Sequence, residues 1–124
     1  MEKTRPKHLD LLTIRLPLPG WVSILHRVSG AGMFFLLPLL LWLLDNSLHS
    51  RSTFNNLLEL VAQPWLKLIL FGTIWAFLHH LCAGLRYLAL DMNWGTELAA
   101  ARASSMWVLG VSLLLTVALG AALW

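Results

Sequence analysis

His80 lies deep inside an apolar stretch that runs from Trp65 to Leu90, in the segment His80-Leu-Cys-Ala-Gly84-Leu-Arg86-Tyr-Leu-Ala-Leu-Asp91. An ionisable side chain in apolar surroundings costs free energy unless it meets a metal, a proton path or an opposite charge, so one of these three chemistries is expected. A second polar group, Ser23-Ile-Leu-His26-Arg27-Val-Ser-Gly30, precedes another apolar run. On a helix Ser23, His26, Arg27 and Gly30 fall at i, i+3, i+4 and i+7 and share one face. Two readings fit that face. His26 and Arg27 can simply snorkel to headgroups. Alternatively the stripe walls a polar pocket, which accounts for a serine one turn before the arginine where snorkelling needs none. The His80 stripe continues at Gly84, Tyr87 and Asp91, and Gly84 leaves space beside the imidazole, as either a flat macrocycle or a closely packed helix requires.

The elements that position these residues follow from composition. Of 124 residues, 58% are hydrophobic and 12% charged, and the mean hydropathy is +0.71. A bilayer core roughly 30 Å thick is crossed by about 20 apolar helical residues. Three stretches meet that length, at residues 22–44, 65–90 and 105–124. Lipid offers no hydrogen bonds to a backbone, so all three are expected to be helices. A soluble fold would have to bury every one of these runs, and the chain lacks the polar surface to cover them. The expected class is an all-α membrane protein with three transmembrane helices, organised as a single membrane-anchor domain behind an amino-terminal arm (residues 1–21).

Seven of the nine lysines and arginines (Lys3, Arg5, Lys7, Arg15, Arg27, Arg86, Arg102) fall on the amino-terminal side of this layout, against Arg51 and Lys67 opposite. The positive-inside rule then puts the amino terminus in the cytoplasm and the carboxyl terminus outside. Trp21, Trp42, Trp65, Trp94, Trp107 and Trp124 fall at or near predicted span ends, as interfacial indoles do, and Trp75 alone lies well inside a span. The arm resembles neither a signal nor a transit peptide of the usual type, so the mature chain is expected to start here. Its prolines suit either an extended strap on the membrane or a partner, or a disordered basic tail that only sets topology. Pro38 is a candidate kink and Pro64 a first-turn residue.

At about 1.5 Å rise per residue, His80 lies roughly 16 Å below Asp91, and Arg27 roughly 9 Å below Trp21 on the same side. The sites then differ in depth by less than roughly 10 Å. This suits a haem whose iron meets His80 and whose propionates rise toward His26 and Arg27, where cationic donors stabilise the carboxylates. No Cys-x-x-Cys-His is present, so such a haem is b-type. The competing reading of His80 is a hydrogen bond to a neighbouring span. A six-coordinate haem needs a second ligand. His79 adjoins His80, His8 lies in the arm, His49 in the outer loop, and His26 is too close to the surface on this depth estimate. The opposite ligand is therefore expected from another chain, in a heterooligomer or, less simply, a symmetric homodimer.

Several motifs together resemble one family. Arg5-Pro6, Leu9-Asp10-Leu11, Thr13-Ile14-Arg15, Ser23-x-x-His26-Arg27-x-Ser29-Gly30 and His80-x-x-x-Gly84-x-Arg86-x-x-x-x-Asp91 stand in the order and spacing of the cytochrome b subunits that anchor succinate dehydrogenase, respiratory complex II. Tyr87 departs from the family's histidine or phenylalanine, Leu90 from its aromatic or methionine, and Lys7 from its aliphatic residue. The resemblance implies a heteromeric haem-binding helix bundle in a bacterial inner membrane. It implies His80 as axial haem ligand and metal-binding residue, His26 and Arg27 at the propionates, Gly84 packing on the haem, and Ser23 with Arg27 at a ubiquinone site. Implied partners are a second small anchor subunit sharing haem b, an iron-sulfur subunit and a flavoprotein; nucleic acid is not expected. Such a chain is an enzyme subunit with no complete active site of its own. The alternatives are a fumarate reductase anchor, another b-type membrane cytochrome, and a small non-redox membrane subunit.

The remaining residues take structural readings. Cys82 is expected as a packing residue, His79 as a helix contact, Lys67 as a snorkelling residue, and Arg86 at headgroups, Asp91 or a soluble partner. The third span reads as scaffold, with Ser112 and Thr116 inside and small-residue contacts at Gly110 and Gly120.

Overall fold

Pro17 and Pro19 prepare the first helix, because a fixed φ and a missing N–H cost nothing in a first turn. In the computed structural model, which describes residues 13–124, the N–H groups of Gly20 and Trp21 bond the Pro17 carbonyl. The family-like elements around Arg5 and Leu9, and His8, lie outside the described residues. Helix α1 spans Leu18–His49 and continues through Pro38, where only one backbone bond is forgone. It is longer at both ends than the apolar run at 22–44.

Residues 45–64 read as a loop, yet they hold a further helix, α2, at Arg51–Val61. Ser50 ends α1 in extended backbone and caps α2: its hydroxyl accepts from Thr53 N at 3.1 Å, while Thr53 Oγ1 accepts from Ser50 N at 3.0 Å. This reciprocal cap, with Thr53, Leu57 and Leu60 recurring on one half-buried face, was the available signal. Helix α3 spans Pro64–Asp91 with Pro64 at its first position, as its spacing predicts. It stops in a Schellman turn: Trp94 N bonds Ala89 O and Asn93 N bonds Leu90 O, with Asn93 at φ 61. Helix α4 spans Leu98–Leu123. It begins well before Ser105 because Ala99, Ala100, Ala101 and Ala103 are strong helix formers that hydropathy alone does not credit.

Helices α1, α3 and α4 are each long and apolar enough to cross a membrane. Helix α3 packs against both α1 and α4. Outside, Phe34, Phe35 and Leu68 are each more than 70% exposed, which only a lipid solvent tolerates on this scale. The chain is a multi-pass all-α membrane protein. Six tryptophans are exposed, whereas Trp75 is half-buried.

The inner face of α4 is a stripe of Ser105, Val108, Ser112, Thr116 and Gly120, all buried. Small residues let helices approach closely where no hydrophobic effect draws them together. The hydroxyls of Ser105, Ser112 and Thr116 are satisfied by carbonyls of their own helix, at 2.8, 3.2 and 2.7 Å. A Cβ on Gly120 would come within 2.6 Å of the Phe71 ring, so the absent side chain admits that ring. Gly110, expected as a second contact, is instead exposed with nothing near it.

Arg86 also departs from expectation. It is 9% exposed and turned inward, with Nε donating to Ser104 Oγ at 2.9 Å and Nη2 to Ala101 O at 3.2 Å. Its guanidinium sits 5.4 Å from the Tyr87 ring centre. The extra turns of α4 supply both acceptors, which is why a reading that starts this helix at Ser105 sends Arg86 to the headgroups. Arg86→Leu should destabilise the α3–α4 pairing by about 1–3 kcal/mol, measured by detergent unfolding of the purified protein. Arg86→Lys should recover less than half, because an ammonium lacks the guanidinium fork. An unchanged unfolding midpoint in the leucine variant would contradict this role.

Candidate functional site

Helix α1 crosses α3 with Val22 and Ser29 as its buried residues. Its contact face is therefore rotated by about one position from the Ser23, His26, Arg27, Gly30 stripe. His26 and Gly30 face α3, Ser23 is half-buried at the margin, and Arg27 is exposed, without a hydrogen bond or ion pair among the described residues.

His80 Nδ1 lies 2.9 Å from the His26 carbonyl oxygen and 3.2 Å from Ser29 Oγ. A carbonyl can only accept, so Nδ1 carries the hydrogen and donates it. In the neutral ring Nε2 holds the lone pair, and it has no hydrogen-bond partner among the described residues. The imidazole faces of His26 and His80 stack with ring centres 4.0 Å apart and planes inclined by 12°. The two histidines thus sit at one level. The depth estimate that set His26 nearer the surface is overturned, because it took Trp21 and Asp91 as ends at one level, whereas α1 begins at Leu18, α3 ends at Asp91, and the two helices meet with the rings side by side.

Two glycines permit this approach, in a different pairing from the one expected. A Cβ on Gly30 would lie 2.8 Å from His80 Cε1, whereas a Cβ on Gly84 would meet only His26 Nε2, at 3.7 Å. The space beside the His80 ring is made by Gly30, and Gly84 receives the edge of His26. Tyr87 stands edge-on to His26, with ring centres 5.2 Å apart, and its hydroxyl is buried without a partner among the described residues. Asp91, last in the α3 stripe, is exposed.

His79 behaves as the helix contact it was expected to be. It is fully buried, stacks on Trp75 at 5.2 Å, and neither ring nitrogen has a partner in hydrogen-bond geometry among the described residues. Cys82 packs against the small cluster of Val22, Ala83 and Val108, in keeping with a packing role. Lys67 is half-buried beside Leu58, Val61 and Trp124. His49 closes the far end of α1.

His26, His80, Gly84 and Tyr87, with Leu81, Leu85 and Leu88, line an open groove of about 410 Å³ on the outer surface of α1 and α3. Among the described residues no three His, Cys, Asp or Glu converge on a point where they could cage a bare cation. One imidazole with its Nδ1–H anchored to a carbonyl, set in an apolar groove, is instead the donor set for a metal that brings its own equatorial ligands. Such anchoring fixes the tautomer and aims Nε2. The residues present therefore fit a haem bound at His80. Two imidazoles in face-to-face contact leave no gap between them, so His26 and His80 cannot hold opposite faces of one macrocycle. Sequence reasoning gave Ser29 no role; its signal was position i+3 from His26, beside a glycine.

Comparison with known proteins follows the same lines. Residues 1–119 match the family described as succinate dehydrogenase/fumarate reductase transmembrane subunit. The succinate dehydrogenase cytochrome b556 subunit of Coxiella burnetii is 34% identical over 125 residues, covering 100% of both chains. The subunit of the same name from Paracoccus denitrificans is 35% identical over 114 residues, covering 91% of this chain and 87% of that one. That of Rickettsia felis is 32% identical over 115 residues, covering 93% and 90%. With its length matched end to end and its helices crossing at the His26 and His80 pair, the chain belongs to the family of succinate dehydrogenase and fumarate reductase transmembrane subunits.

Proposed function

We propose that this chain is the haem- and quinone-holding anchor of a succinate dehydrogenase, acting as one membrane domain of the bacterial inner membrane. The observation that carries the proposal is the His80 imidazole, whose Nδ1–H is taken by the His26 carbonyl at 2.9 Å and whose Nε2 is left without a partner among the described residues. A b-type haem held there supplies a one-electron carrier. His80 would hold its iron from this chain, and Gly84 in the groove wall would leave room beside it. His26 and the exposed Arg27 lie within one turn of α1 and offer cationic or N–H donors to the propionates. The opposite ligand comes from a second small anchor subunit, since His26 is stacked on His80 and His79 is enclosed.

Ubiquinone is the substrate read for Ser23 and Arg27. Converting a quinone to a quinol takes two electrons and two protons. Electrons arrive from succinate through a flavoprotein and an iron-sulfur subunit docked on the amino-terminal side. Ser23 donates its hydroxyl hydrogen to a quinone oxygen, and the Arg27 guanidinium stabilises the negative charge that builds up on reduction. Neither residue is tied up elsewhere among the described residues. The family also includes fumarate reductase anchors, with electron flow reversed over the same groups; the relatives' succinate dehydrogenase names support the forward direction.

The purified complex should contain a flavoprotein and an iron-sulfur protein and show b-type absorption in a reduced-minus-oxidised spectrum. His80→Leu should abolish that absorption in an otherwise assembled complex. Gly30→Ala should weaken it severalfold, because a ring held by two oxygens and a stacked face cannot yield to a new methyl. Full absorption in His80→Leu would remove the ligand assignment.

Ser23→Ala should retain the haem spectrum and lower succinate-driven quinone reduction by roughly tenfold, the effect of one hydrogen bond made as charge develops. An unaltered rate at all quinone concentrations would take Ser23 out of the site. For orientation, seven of nine cationic residues flank the amino-terminal side of the spans. A reporter enzyme that works only in the periplasm should accordingly be active when fused after Trp124 and silent when fused after Asp91. The opposite pattern would invert the proposed topology.

A further inference from the structure

Ser29 is 4% exposed on α1 and contacts both histidines of the site. Its hydroxyl has a single hydrogen, given to the His26 carbonyl at 2.9 Å. Only lone pairs then remain to face His80 Nδ1, 3.2 Å away. The Nδ1 hydrogen is therefore shared between two oxygens, the His26 carbonyl at 2.9 Å and the Ser29 hydroxyl. The other buried serine and threonine hydroxyls behave differently: among the described residues Ser105, Ser112 and Thr116 bond only a carbonyl one turn back in their own helix. That backward bond is the ordinary habit of serine and threonine in apolar helices. Ser29 has it too, but adds a contact across the helix interface to the His80 imidazole, whose Nε2 has no hydrogen-bond partner among the described residues.

We propose that Ser29 is a positioning residue for His80, its hydroxyl orienting the imidazole and adjusting the electron density that Nε2 offers to a bound haem iron. The inference rests on the haem reading above and deepens it. Each acceptor that draws on the Nδ1–H makes the ring more basic at Nε2. A more basic ligand favours the oxidised iron, so the Ser29 hydroxyl lowers the reduction potential. The stacked His26 ring covers one face of the imidazole, and Gly30 brings α1 close enough for the hydroxyl to reach.

The test is a potentiometric titration of the haem in the assembled, detergent-purified complex carrying Ser29→Ala or Ser29→Thr. Ser29→Ala should retain b-type absorption and raise the reduced-to-oxidised ratio at a fixed ambient potential by about threefold to tenfold, as expected for loss of one hydrogen bond of ordinary strength. Tenfold corresponds to 59 mV for a one-electron couple. Ser29→Thr keeps the hydroxyl and should return the ratio to within about twofold of the unsubstituted complex. Loss of haem from the alanine variant alone, with threonine retaining it, equally supports a hydroxyl that holds the ligand. A potential in Ser29→Ala that is unmoved or lower overturns the inference, as does an equal shift in both variants or loss of haem from both. An unsubstituted complex without b-type absorption fails the proposed function and this inference together; an intact spectrum with an unmoved potential fails the inference alone.

Discussion

One imidazole N–H, that of His80 Nδ1, has to be satisfied where no water is at hand, and the way α1 satisfies it organises the protein. The acceptor is a main-chain carbonyl, that of His26, so the bond depends on how closely two helix backbones approach rather than on a flexible side chain. Close approach needs residues without side chains at the crossing, and Gly30 and Gly84 sit there, one facing each histidine ring. The stack of His26 on His80 follows from the same geometry. Burying a donor without its acceptor costs about 1–3 kcal/mol, so this short contact sets the register of α1 on α3.

The rest of the bundle holds α3 in place behind that contact. Its other side carries His79, Ala83 and Arg86 inward, and α4 meets them with a stripe of small residues and two acceptors for the guanidinium. Along the middle of the spans what remains outward is apolar, and the groove there exposes the edge of the histidine pair. On the proposed reading that groove is half of a coordination site, and its openness reflects a chain built to be completed by another anchor. A histidine pair in mutual face contact cannot close a site alone, so the second ligand has to come from elsewhere.

The three long helices were legible because a run of apolar residues long enough to cross a bilayer has few other solutions. Their ends were not, since Pro17, Pro19 and the alanines after Leu98 act through backbone propensity, which hydropathy does not register. Helix α2 escaped notice for a related reason: its cap is a local exchange between Ser50 and Thr53 in a polar stretch. At the site, residue types were informative and facing was not. Ser23, His26, Arg27 and Gly30 share a helix face, yet the crossing turned the neighbouring face, with Val22 and Ser29, into the contact. A stripe on one helix cannot specify its partner's rotation, so Gly84 was paired with the wrong histidine, Arg86 was sent outward, and Ser29 went without a role. His80 itself stood out in the sequence because a polar group in lipid is costly wherever its helix is turned.

The most direct test of the account is a density map of the assembled complex at a resolution that places the imidazole rings. Iron should be bonded to His80 Nε2, with Nδ1 still on the His26 carbonyl and the opposite ligand contributed by a different chain. Iron bonded to His26 or His79, or a His80 turned away from α1 with both ring nitrogens clear of the metal, would contradict it.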